Sequence, residues 1–396
     1  MNILLVEPEY YTRYPSLGLL KLASLHKSRG DAVEYVRGQH KLDFTPDLVY
    51  VTSLFTWDWK PVWQAVRHYR DAHPGAEVWL GGIYASLLPA HAKLSGAHRV
   101  WEGLFPEAEA VQPDYELVPT WKSTILFATR GCPRKCGFCS VPKLEGPPTV
   151  SEQSVRDLIY PDHTKAVFFD NNILGLPVAK AIFEELADAG VEVDFNQGMD
   201  VRFIDDEYAR LISNMNCPIV RMAFDYAGIR LSVERGIQLL KDHGIRGRRM
   251  VFYVLYNYVD DPQGFFERVR DLLRWGVVVY PMRYEPLCTL EKGTYVSPQW
   301  TRDELDMVQR FRRVVGYGGA LPPYKALLKK LDTASDFGTA FALRPDMKGA
   351  DGPVPAPLVE MALEHQIHGV KNKDYFPSWR REKDWRKIRT TSSPGK

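Results

Sequence analysis

Asn2 to Glu7 (NILLVE) is an unbroken hydrophobic run of buried-strand length, and Leu17 to Ser28 then carries its apolar residues at helical spacing until Gly30 stops it. The alternation continues with strands at Val33 to Val36, Leu48 to Leu54, Val78 to Leu80 and Arg99 to Trp101. Amphipathic helices are predicted at Trp59 to Asp71 and about Ser86 to Leu94. Strand alternating with helix predicts a parallel sheet covered on both faces. Residues 1–112 therefore read as a Rossmann-like, doubly wound domain, and Gln112 to Lys122, with Pro113 and Pro119, reads as a linker.

A second alternation starts at the strand Ser123 to Thr129. Helices follow at Ser151 to Ile159, Val178 to Ala189, Asp205 to Asn214, Leu231 to His243 and Pro262 to Trp275. Strands fall between them at Ala166 to Asp170, Val191 to Asn196, Ile219 to Phe224, Met250 to Tyr256 and Val277 to Arg283. This pattern predicts a partial (β/α)6 barrel over residues 123–290. Residues 291–396 read as a mainly helical and irregular extension, with an Arg-rich helix at Arg302 to Val315 and a glycine and proline turn leading into a basic helix over Tyr317 to Lys330. Asp332 to Pro357 is rich in Gly, Pro and Asp and predicts irregular chain, Leu358 to Ile367 one short helix. In the last stretch, Lys371 to Arg389 (KNKDYFPSWRREKDWRKIR), basic residues interleave with Tyr375, Phe376, Trp379 and Trp385. That suits phosphate contact plus base stacking, and equally a solvated tail folded back on the barrel. No internal repeat is present.

Composition narrows the class. The 396 residues are 45% hydrophobic and 25% charged, ordinary for globular chains of two or three domains. No apolar run approaches the roughly 20 residues a bilayer span needs, and MNILLVEPEYY has neither the basic region nor the cleavage site of a signal peptide. A cytoplasmic chain with no membrane partner is predicted. Five cysteines, an odd number with three of them clustered, do not make a disulfide framework. The net charge of +2 leaves only local charge to matter.

The clustered cysteines are Cys132, Cys136 and Cys139 in TRGCPRKCGFCSVPKLEG, a CxxxCxxC spacing directly after the strand Ser123 to Thr129. Thiolates suit soft metals and iron–sulfur clusters, which are normally held by one thiolate on each iron. Three thiols leave one iron open, and open positions are where metal centres do chemistry. Gly131, Gly137 and Pro133 let a short loop wrap closely, while Arg134 and Lys135 put positive charge beside an anionic cluster. A zinc site and loop cysteines without a role are the alternatives. A structural zinc wants a fourth ligand close by, whereas Cys217 and Cys288 are distant and sit in apolar segments.

The spacing, with the aromatic Phe138 before the third thiol, resembles the CxxxCxΦC signature of the radical S-adenosylmethionine (radical SAM) superfamily. The resemblance implies a [4Fe-4S] cluster whose fourth iron is chelated by SAM, and reductive cleavage of SAM to methionine and a 5′-deoxyadenosyl radical that abstracts a substrate hydrogen. It also implies an external electron donor of flavodoxin or ferredoxin type. PSLGLL, TSLFTW and GGIYASLLP further resemble the cobalamin-binding-type N-terminal domain of one branch of that superfamily. Here the chain departs from the branch's strongest signal: EPEYYTRYPSLG stands where DxHxxG would supply a lower cobalt ligand. Cobalamin thus remains open, and His40, His68, His73, His91 and His98 read as surface or packing residues.

Barrel active sites lie at the carboxyl ends of the strands. Asp170, Asn171 and Asn172 hold the position at which the resemblance implies a grip on the SAM amino group. Asn196, Gln197, Asp200 and Arg202 cluster in NQGMDVR, where Arg202 suits bidentate pairing with the SAM carboxylate. Asp225 is a candidate for the ribose hydroxyls, and Tyr256 and Asn257 for adenine or substrate. Each has a plainer alternative as a helix cap or loop hydrogen bond. Met282, Arg283 and Tyr284 read as substrate contacts or packing.

Three functions follow. One is a cobalamin-independent radical rearrangement, an isomerisation of a modified nucleobase such as an amino-acid-modified thymine in phage DNA, since the branch is similar to viral enzymes of that kind. The second is a cobalamin-dependent radical SAM C-methyltransferase. The third is a non-catalytic iron–sulfur redox sensor. Methylthio transfer, which shares the RGCPxxCxFC context, is set aside because those enzymes carry a second cluster on N-terminal cysteines and the first cysteine here is Cys132.

Overall fold

The computed structural model describes residues 1–151, 154–315 and 324–342. The chain divides into two compact units. Met1–Ala223, Leu231–Met250 and Arg283–Val296 form the first; the second takes Phe224–Arg230, Val251–Met282 and the described residues from Ser297 onward. The fold is mixed α/β with parallel sheets. No described helix is long and apolar enough to cross a membrane.

Five strands open the first unit: β1 (Asn2–Glu7), β2 (Ala32–Arg37), β3 (Leu48–Val51), β4 (Glu77–Leu80) and β5 (Arg99–Val100), in the order β2-β1-β3-β4-β5. All pairs are parallel. The hydrophobic run of β1 is continuous because both faces are covered. Leu4 and Val6 enter one core with Val49, Val51, Val62 and Tyr69, while Ile3 and Leu5 enter another with Leu19, Leu22 and Tyr50. The helix expected over Ser86 to Leu94 is two short ones, Ile83–Leu87 and Pro89–Lys93. Pro89 forces the break, since the residue before a proline is driven out of helical geometry and Leu88 sits at φ −130°.

The second alternation begins with β6 (Thr124–Leu126) and reaches β9 (Lys165–Phe168) and β10 (Glu192–Phe195), a parallel sheet in the order β10-β9-β6. Between β6 and β9 lies an antiparallel pair, β7 (Thr129–Arg130) with β8 (Thr149–Val150), which closes the base of the cysteine loop. The strand expected over Ser123 to Thr129 is thus broken. Asp170 captures the N–H groups of Ala128 and Thr129 that would otherwise have extended it. Next comes β11 (Val220–Ala223), where Met222 bridges Met199 in parallel.

In the second unit β12 (Met250–Tyr256) and β13 (Val278–Arg283) are sheet neighbours joined by the helix Pro262–Arg274. Phe337–Phe341 forms a helix inside the stretch expected to be irregular, capped by Asp336 accepting from Thr339 N–H. Lys371 to Arg389 and Leu358 to Ile367 lie outside the described residues.

Candidate active site

The carboxyl ends of β6, β9 and β10 bring three segments of the first unit together: the cysteine loop, Asp170 to Asn172, and Asn196 to Arg202. Cys132, Cys136 and Cys139 are in no disulfide and are all half-buried. A tight turn joins the last two, with Cys139 N–H donating to the Cys136 carbonyl at 3.0 Å. Burial pushes the Cys139 thiol up, and its neighbours Cys136 and Cys132 add to the effect. Phe138 is half-buried between them in sequence.

Gly131 enters the loop at φ +73°, and a Cβ there would stand 2.8 Å from the Pro147 carbonyl oxygen. Only glycine allows that left-handed turn against the returning backbone. The fold therefore uses Gly131 to close the loop.

Asp200 is the polar hub of the site. Its carboxylate accepts from Arg134 Nε at 2.6 Å, and from Arg202 Nε at 2.7 Å and Nη2 at 2.8 Å, a fork-like grip. Burial pushes Asp200 up, but the hydrogen bonds from Arg202 and Arg134 outweigh it and hold its carboxyl below the ordinary range. Asn172, 5% exposed, points Nδ2 at Cys132 Sγ (3.7 Å) and Asp200 Oδ2 (3.5 Å). Its Oδ1 is buried with no hydrogen-bond donor, and so is Asn171 Nδ2 without an acceptor. Buried polar atoms left unmatched are costly.

Asp170, 3% exposed, turns the other way. Its oxygens accept from Ala128 N–H (3.2 Å), Thr129 N–H (2.6 Å) and Thr129 Oγ1 (2.6 Å), and burial pushes its carboxyl up to about 6. It anchors the chain entering the cysteine loop. Gln197 is exposed and donates to Asn196 Oδ1 at 3.4 Å, while Asn196 Nδ2 donates to the Tyr14 hydroxyl at 2.7 Å. In the second unit, Asp225 is half-buried with its carbonyl accepting from Arg268 Nη1 at 2.9 Å. Tyr256, 2% exposed, packs against Phe265 (5.2 Å) and Trp300 (5.6 Å) as a core ring.

Three thiols on one closed loop are a donor set suited to an iron–sulfur cluster. Among the described residues, no three His, Cys, Asp or Glu side chains converge to hold one metal ion. A cluster asks for a different arrangement, since each thiolate binds its own iron. Cys217 does not complete a zinc set: it is fully buried, donates to the Ile219 carbonyl, and burial pushes its thiol up to about 12.

Near the carboxyl ends of β3 and β4 lies a cavity of about 280 Å³, lined by Tyr50, Trp79, Trp101 and Phe105 among others, with no histidine among the described residues of its wall. The glycine pair there meets the chain itself. A Cβ on Gly82 would stand 2.2 Å from the Ser53 carbonyl oxygen, and Ser53 Oγ donates to the Gly81 carbonyl at 2.7 Å.

No protein-family model matches the chain, and no curated protein does. Among solved structures it is similar to the apo, selenomethionine-labelled cobalamin-dependent S-adenosylmethionine radical enzyme OxsB, at 12% identity and a TM-score of 0.47 over 96% of this chain and 63% of that one. It is also similar to the Escherichia coli coproporphyrinogen III oxidase HemN, a radical SAM enzyme, at 13% identity and a TM-score of 0.34 over 48% and 52% of the two chains. For Streptococcus suis SuiB bound to S-adenosylmethionine the figures are 11%, 0.35, 66% and 68%. The chain spans less than two thirds of OxsB's length.

Sequence reasoning missed Glu109, Arg130 and Glu145, which fasten the cysteine loop. Arg130 binds Glu109 through Nε (2.9 Å) and Nη2 (3.0 Å), and Glu145 accepts from Gly131 N–H at 2.7 Å. No local pattern marks residues paired across 21 and 14 positions.

Proposed function

We propose that the chain is a radical SAM enzyme. The observation that carries this reading is the placement of three cysteines, none in a disulfide, on a closed loop beside the unmatched Asn172 Oδ1. When bound, a [4Fe-4S] cluster with SAM on its fourth iron supplies one-electron cleavage of the sulfonium and a 5′-deoxyadenosyl radical that takes a hydrogen from substrate. Cys132, Cys136 and Cys139 would each hold one iron. Asn172 Oδ1 is an acceptor for the SAM ammonium. Arg134 and Arg202 set two positive charges against the single charge of Asp200, and that excess favours both an anionic cluster and a carboxylate. Asp170 holds the loop's entry, and Gln197, Asn171 and Phe138 complete the cofactor surroundings in this reading. Cys217 is buried and Cys288 lies apart on the surface, so electrons come from an external flavodoxin- or ferredoxin-type donor.

Within this class we infer rearrangement of a modified nucleobase. The basic, aromatic composition of residues 371–389 supports it, and such a base must be presented flipped or single-stranded. Anaerobic reconstitution followed by iron, sulfide and 5′-deoxyadenosine assays tests the class. An intact cluster that yields no 5′-deoxyadenosine under reduction with SAM points instead to a redox sensor. Binding of modified DNA that does not weaken with salt, or no binding at all, removes the nucleobase reading.

The cavity at the carboxyl ends of β3 and β4 favours a second reading, cobalamin-dependent C-methylation. A corrinoid spectrum on the purified protein supports it; a colourless protein after iron removal eliminates it.

A further inference from the structure

The loop that carries the thiols is tied to the helix Pro106–Glu109, which follows β5, by a half-buried ionic clamp. Arg130 stands directly before Gly131, with its guanidinium forked onto Glu109 at the end of the helix Pro106–Glu109. Its Nη1 reaches Glu145 Oε1 at 3.5 Å, and its cationic carbon lies 3.3 Å from the centre of the Phe127 ring. Glu145 sits on the returning limb of the same loop and accepts from Gly131 N–H at 2.7 Å. Lys21, from the helix Leu17–Ser28, donates to the Glu109 carbonyl at 3.1 Å and fixes the far side. The side chains of Arg130, Glu145 and Glu109 are 15%, 11% and 29% exposed, and all three border the apolar cavity. Water screens such charges weakly, so a forked, charge-assisted grip holds direction as well as distance.

We infer that Glu109 and Glu145 are positioning residues that set where the cysteine loop stands relative to Asn172, acting through Arg130 and Gly131. The inference rests on the radical SAM reading only for what the loop holds. On this account the N-terminal sheet serves the reaction as the fixed point of the loop, independently of any ligand it carries. Glu109 belongs to the segment after β5 and Glu145 to the loop itself, so the clamp joins the two halves of the first unit.

The test uses the metal-free full-length protein. Pulsed iodoacetamide labelling with mass spectrometry reads each cysteine separately, and the chain supplies two internal controls: exposed Cys288 and fully buried Cys217. In Glu109→Gln the three loop thiols are expected to label about tenfold faster, the size of change that follows loss of a charge-assisted hydrogen bond and local opening. Cys288 keeps its rate and Cys217 stays protected. Arg130→Lys, which keeps the charge but loses the fork, shows the same in smaller degree, and Glu109→Asp restores part of the protection. Unchanged loop thiols in both Glu109→Gln and Arg130→Lys overturn the inference. So does Cys217 opening together with the loop in both variants, because the clamp would then serve global stability. Iron uptake by the wild type is measured in parallel: its failure removes the cluster reading and leaves the labelling result standing.

Discussion

Two regions of the first unit occupy the same topological place, beyond the carboxyl ends of parallel strands, and they are finished differently. At the ends of β3 and β4 an apolar cavity opens beside a glycine pair whose backbone the chain itself satisfies, Ser53 filling the space next to Gly82 and serving Gly81 and Ala85 by hydrogen bonds. At the ends of β6, β9 and β10 three thiols gather beside an acceptor on Asn172 and a donor on Asn171 that have no hydrogen-bond partner in the protein. Position in an α/β sheet says where a ligand can sit. The count of unmatched polar atoms separates these two places.

The comparison breaks hardest at the thiols. Cys139→Ala is expected to abolish iron loading and 5′-deoxyadenosine formation while circular dichroism stays native; retained turnover would remove the cluster from the mechanism. The two glycines sharpen it next. Gly82→Ala forces a Cβ to 2.2 Å from Ser53 O at φ +98°, and is expected to cost about 3 kcal/mol in urea unfolding while iron per folded molecule is unchanged. Gly131→Ala, at φ +73°, is expected to cost about 2 kcal/mol and to lower iron content as well. Equal loss of iron in both variants would erase the distinction.

Asp170 gives a pH test. Burial raises its carboxyl from 3.8 to about 6, so the folded state binds the proton more tightly than the unfolded chain. The stability this contributes is whole below pH 3.8 and is lost as pH rises through about 6. It amounts to about 3 kcal/mol. Urea titrations across that window are expected to show the slope in the wild type and to lose it in Asp170→Asn. A smaller effect belongs to Arg202→Lys, which gives up the fork on Asp200 and is expected to weaken SAM binding about fivefold, near 1 kcal/mol. An unchanged dissociation constant would confine Arg202 to its own turn.

Much of this architecture was legible from the chain. The apolar run of β1, the strand and helix alternation and the position of the cysteines after β6 follow from periodicity and spacing. Asp170 was legible as a strand-end carboxylate, yet its oxygens turn back to Ala128 and Thr129, because a strand that kinks leaves two N–H groups to satisfy. Tyr256 ends β12 as expected, and there Trp300, distant in sequence, covers it. Asp200 was read as one member of a polar cluster; its role as hub depends on Arg134, 66 residues away. Ion pairs across such separations leave no periodic trace.

The pairing of β7 with β8 joins the two ends of the thiol loop through the chain's own backbone. Small metal domains commonly fold only when their metal binds, so that its affinity is consumed in ordering the chain. Here the chain's own backbone hydrogen bonds shut the ring and offset the conformational entropy of bringing its ends together. Less of a bound group's affinity is then spent on ordering the loop.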